Sequence, residues 1–95
     1  MRIGERIRAR RVALGMSQGD LATAVGYTAD NRRSIIYQAE IGRNDVPAIL
    51  LPAYAAALRT SVYYLLGLTD AADLTDIDLL DFIAQIDKPG ETVIE

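Results

Sequence analysis

Ser17-Gln18-Gly19-Asp20-Leu21-Ala22-Thr23-Ala24-Val25-Gly26-Tyr27-Thr28 is the stretch that decides the fold. Ser17 precedes Asp20 by three residues, so each side chain can satisfy the other's backbone N–H, as in a capping box with Asp in place of Glu. A helix is therefore expected over residues 18–25. Leu21, Ala22 and Val25 fall on one face at helical spacing. Gly26 stops this helix, and Tyr27-Thr28 make a tight turn.

Helical signals continue on both sides. Upstream, Ile3, Ile7 and Leu14 form one stripe of a helix over residues 3–14, ended by Gly15. Downstream, a third helix is expected over residues 30–41, with Thr28 or Asp30 as N-cap and Gly42 as its stop. Arg43-Asn44-Asp45-Val46 reads as a loop. Leu51, Tyr54, Ala55 and Leu58 then recur at i, i+3, i+4 and i+7. An interior proline loses a hydrogen bond and clashes with the preceding turn, so regular helix should start between Ala48 and Leu51 with Pro52 in the first turn. Ser61 caps a short fifth helix over residues 62–66, ended by Gly67. A sixth is expected from Thr75 to about Ile86, where Pro89-Gly90 lie just beyond. No segment sustains period-two alternation, and the fold class expected is all-α.

The 95 residues are 51% hydrophobic and 24% charged, which suits one folded domain with a short extension. No apolar run approaches the roughly eighteen residues of a membrane span, and the first residues lack a signal peptide's apolar segment. The chain has no cysteine and no histidine. Disulfides and thiolate metal sites are excluded, and the commonest general base and metal ligand are missing together. No glycine-rich phosphate loop is present either. The expectation is a cytoplasmic protein that is not an enzyme and carries no cofactor or metal.

The net charge of −3 averages two unlike parts. Up to Gly67 nine arginines face five acids, a balance of +4; from Leu68 onward eight acids face Lys88 alone, a balance of −7. This divides the chain at a composition shift into residues 1–68, a basic binding module, and 69–95, an acidic linker with a C-terminal amphipathic helix.

Detailed motifs sharpen the reading. Ile3-Gly4-Glu5-Arg6-Ile7-Arg8, Gly15-Met16-Ser17-Gln18-Gly19-Asp20-Leu21-Ala22, Val25-Gly26-Tyr27-Thr28, Glu40-Ile41-Gly42-Arg43 and Ser61-Val62-Tyr63-Tyr64-Leu65-Leu66-Gly67 stand in this order. Together they resemble the XRE family, the lambda repressor and Cro-like helix-turn-helix proteins, over residues 3–67. The resemblance implies a five-helix lambda-repressor-like domain that binds double-stranded DNA as a dimer, with the third helix in the major groove. Ser17 and Gln18 sit where a helix N-terminus can meet a phosphate. Arg43 and Asn44 match family positions that touch the DNA backbone. Arg11 and Glu40 match a structural ion pair between the first helix and the end of the recognition helix.

One departure bears on specificity. The family spacing from the turn glycine to the glutamate is about ten residues, whereas Gly26 to Glu40 is fourteen. Four residues add about 1.1 turns and roughly 6 Å, so a lengthened helix can keep its faces. The extra residues can also loop out of the turn; the longer helix is the favoured reading, because Asp30-Asn31-Arg32-Arg33 make a good cap and first turn. With Ile36 in the core, Asn31, Ser34 and Gln38 fall opposite, flanked by Tyr37 and Arg33, and Arg32 falls towards the core side. Asn and Gln suit adenine and Arg suits guanine. Arg32 or Arg33 is expected on phosphate. Ala39, smaller than the residue usual before the glutamate, should leave packing looser or filled by Ile35 or Ile41.

In the C-terminal part, Ile77, Leu80 and Ile83 form one apolar stripe and Phe82 lies on a second beside it. So much apolar surface calls for cover: the helix packs on its own domain, or it pairs with a second chain in a homodimer, or it takes a protein partner. An antitoxin-like interaction module using residues 70–95 is thus the alternative to a DNA-binding regulator. The ending Thr92-Val93-Ile94-Glu95 is compatible with an excerpt of a longer repressor.

Overall fold

Arg2 donates its backbone N–H to Glu5 Oε1 at 2.7 Å, and the first helix, α1 (Ile3–Ala13), begins there. The computed structural model describes residues 2–73, which hold five α-helices and no strand. α2 (Gln18–Val25) has the bounds its motif predicts. Ser17 Oγ accepts from the Asp20 N–H at 2.9 Å, and Asp20 accepts from the Ser17 N–H at 3.0 Å. Gly26 closes it at φ +113°, a conformation open to glycine and costly for other residues.

The third helix, α3 (Arg32–Glu40), differs from expectation at its start. It spans nine residues, and the N-cap position falls to Asn31, whose side chain makes no cap bond. Neither Thr28 nor Asp30 caps it. Residues before Arg32 therefore belong to the α2–α3 connection, and the helix is shorter than the 30–41 expected. Three hydrogen bonds of Arg32 accompany this start. Its backbone N–H donates to the Ala29 carbonyl at 3.1 Å, closing a turn over Asp30 and Asn31. Its side chain reaches Ala29 O at 3.2 Å and Thr23 Oγ1 at 3.3 Å. The connection is thus pinned to α2 before helix begins.

A 3-10 turn, Ala48–Leu50, leads into α4 (Leu51–Ala57), with Pro52 in the first turn, where its missing N–H leaves nothing unpaired. α5 (Val62–Leu65) starts at Ser61, whose Oγ accepts from the Tyr64 N–H at 3.0 Å. Ile7, Leu21, Ile36, Tyr54, Leu58 and Leu65 are fully buried and make one core shared by all five helices. Tyr54 brings a hydroxyl into it, and Tyr27 OH meets that hydroxyl at 3.1 Å across an edge-on ring contact. Burial and this bond push the Tyr54 hydroxyl's pKa up.

α1 lies directly on the end of α3. A Cβ added at Gly4 would overlap the Ala39 carbonyl oxygen and stand 2.8 Å from that of Glu40. Ala39 is buried, Ile41 is 46% exposed and Ile35 is half-buried.

Residues 69–73, read from sequence as linker, are fastened to the helices. Arg6 donates to Tyr64 O at 3.0 Å, Thr69 O at 2.7 Å and Asp70 Oδ1 at 2.8 Å, with its guanidinium 4.5 Å from the Tyr64 ring centre. One turn along α1, Arg10 donates to Leu58 O at 3.1 Å, Arg59 O at 3.2 Å and Asp73 Oδ1 at 2.7 Å. Thr60 Oγ1 donates to Ala72 O at 2.5 Å. Two arginines of α1 thereby bond carbonyls at the C-terminal ends of α4 and α5, that of Tyr64 also accepting the Gly67 N–H at 3.0 Å. Among the described residues, no helix is long and apolar enough to cross a membrane. The expected sixth helix, with Ile77, Leu80, Phe82 and Ile83, lies outside the described residues.

Candidate nucleic-acid interface

α2, the pinned connection and α3 set their N-terminal ends side by side. Between them is a shallow, open recess lined by Gln18, Asp30, Asn31, Arg33, Ser34 and Tyr37. Five of these six were expected site residues; Asp30, expected as a helix cap, was not. It does not cap α3, it is exposed, and it lines the recess together with Arg33. Asn31, Arg33, Ser34 and Tyr37 are exposed, Tyr37 at 49%. A carboxylate, a guanidinium, a phenol, a hydroxyl and amides thus share one surface, a donor and acceptor set able to read base edges.

Several of the expected site residues are already engaged within the chain, Gln18 of the recess among them. Gln18 donates from Nε2 to Glu40 Oε1 at 3.1 Å, so it has a structural role that the sequence did not suggest. The Glu40 carboxylate, 1% exposed, also takes Arg11 Nε at 2.5 Å and Arg11 Nη2 at 3.0 Å. Arg11 bonds Met16 O at 2.8 Å as well, so this cluster ties α1, the α1–α2 corner, α2 and α3 together. Arg32 is half-buried and spends its side chain on the connection. Farther along α3, Asn44 Nδ2 donates to Gln38 Oε1 at 2.7 Å and Gln38 Nε2 donates to Ser34 Oγ at 3.1 Å. Gln38 is half-buried, held between Ser34 and Asn44 rather than standing free on the outer face.

At the α2 end, Ser17 is occupied as a cap. The backbone bond from Ser17, followed by the hydroxyl bond, holds the Asp20 carboxyl below its usual range. Gln18 and Gly19 are first-turn positions, whose N–H groups have no intrahelical acceptor. At the other end of α3, Arg43 is exposed, and its backbone N–H bonds Gln38 O at 2.9 Å. Arg2 is a second cation there, not singled out by any motif: its Nη1 would lie 3.0 Å from a Cβ built at Gly42. No protein-family model matches the chain.

Proposed function

We propose that this protein is a sequence-specific double-stranded DNA-binding transcription regulator of the repressor type. On this reading its fold is lambda-repressor-like, its kinship is with the XRE helix-turn-helix proteins, and it acts in the cytoplasm as a dimer. The observation carrying it is the recess between the α2 and α3 N-termini, where Asn31, Arg33, Ser34 and Tyr37 are exposed together on a rigid two-helix frame. α3 presents these side chains to the major groove, where each base pair offers a distinct pattern of donors and acceptors. The exposed cations Arg2 and Arg43, near the far end of α3, meet phosphates and set the register. Arg11 and Glu40 keep α1 fixed to the reading helix and take no part in contact.

Selection of bound duplexes from a random pool at moderate salt tests the reading. A two-fold symmetric consensus, with half-sites about one helical turn apart, is the expected result. No enrichment, together with an affinity for duplexes that salt between about 50 and 200 mM leaves unchanged, overturns it.

A further inference from the structure

Asp30 is an oddity on a surface meant for a polyanion. It is exposed, it does not cap α3, and it takes part in none of the ion pairs found among the described residues. Its carboxylate thus makes no direct ion pair, and the turn beneath it is held by the three bonds from Arg32 to Ala29 and Thr23. A fixed, unpaired acceptor beside an exposed guanidinium repels phosphate and lowers affinity for DNA at large. It is useful only where something donates to it.

We propose, building on the DNA-binding reading above, that Asp30 is a specificity-determining residue that selects cytosine. An ionised carboxylate can only accept hydrogen bonds. In the major groove, guanine offers two acceptors and thymine offers O4, so both repel it; adenine sets the N7 acceptor beside its N6 donor. Cytosine presents the N4 amine alone. Arg33, on the same recess, supplies the donors that guanine O6 and N7 require. The two side chains together suit a C·G base pair, with the negative one rejecting the alternatives that the positive one tolerates.

The test compares the full-length chain with Asp30→Ala and Asp30→Asn, selecting duplexes and then measuring affinities on single-base variants of the consensus. For the unaltered protein, replacing the selected cytosine should weaken binding roughly 5- to 150-fold, the range of one good base contact. In both variants that discrimination should collapse to about twofold or less, while binding to unrelated duplexes rises, since a repulsive charge has gone. Unchanged thermal unfolding of the variants would separate this from damage to the fold. A consensus that the variants share base for base with the unaltered protein overturns the role of Asp30 and leaves DNA binding standing. Failure of the unaltered protein to bind any duplex overturns both.

Discussion

Two single residues carry opposite conformational costs. Gly4 is the point where the α1 backbone rests on the Ala39 and Glu40 carbonyls, with no room for a Cβ. Gly4→Ala forces the two helices apart, and overpacking of this kind typically costs 1–3 kcal/mol. Because backbone and not a flexible side chain must yield, the loss should be roughly 3 kcal/mol, read as a lower urea midpoint at unchanged slope. A change under about 0.5 kcal/mol would contradict the close approach. Arg59 is the reverse case: it has φ +53°, the one positive value among the described non-glycine residues. The Thr60 N–H bonds Ala55 O at 3.0 Å and the Arg59 N–H bonds Ala56 O at 3.3 Å, the Schellman pattern, in which this position favours glycine. The left-handed conformation costs about 1–2 kcal/mol, part of which glycine returns as unfolded-state entropy. Arg59→Gly should therefore stabilise the chain by about 0.5–1 kcal/mol in the same urea experiment, and a destabilised variant would contradict the strain.

At the scale of elements, the join between α1 and α3 rests on a buried carboxylate. Glu40 takes three hydrogen bonds from Arg11 and Gln18 and is 1% exposed. Removing one partner leaves the other charge uncompensated, at a cost of about 3–5 kcal/mol, although replacing both by apolar groups can be nearly neutral. Arg11→Leu should thus be strongly destabilising, and Arg11→Leu with Glu40→Leu should recover at least half of that loss; additive losses would exclude a coupled pair. This cluster also shows what could be read from sequence. The α2 cap was legible because Ser17 and Asp20 are three residues apart and each needs only the other. The start of α3 was not. Asp30 looks as good a cap as any, but the helix starts at Arg32, whose side chain reaches back to Thr23, nine residues away. Gln18 looked idle on an exposed first turn because its partner Glu40 is twenty-two residues downstream. In the recess, the residues that project from the α3 face were legible from periodicity, and the engagement of Gln38 with Asn44 across the end of the helix was not.

For the whole molecule, the arginines separate into those the fold consumes and those left for a ligand. Residues 2–73 hold nine arginines against seven acids, a balance of +2. Arg6, Arg10 and Arg11 are committed to carbonyls and carboxylates inside the fold, and Arg32 is tied to the connection. Asp70 and Asp73 are 98% and 77% exposed at their side chains, so their ion pairs are worth at most about 1 kcal/mol each. The capped carbonyls of Leu58, Arg59 and Tyr64 matter more, since each would lose its arginine partner. Arg6→Gln or Arg10→Gln should therefore cost roughly 2–3 kcal/mol of stability, while neutralising either aspartate costs under about 1. None of these changes should alter how DNA affinity responds to salt. The arginines that remain exposed are Arg2, Arg8, Arg33, Arg43 and Arg59. With a slope of about −0.9 per phosphate neutralised, these five arginines of the described residues can contribute no more than about −4.5 per chain to a plot of log affinity against log salt. Arg43→Gln should flatten it by about 1, whereas Arg33→Gln should relax base discrimination and leave the slope nearly unchanged. A flattening by Arg6→Gln or Arg10→Gln would mean that the α1 arginines leave their carbonyls for phosphate.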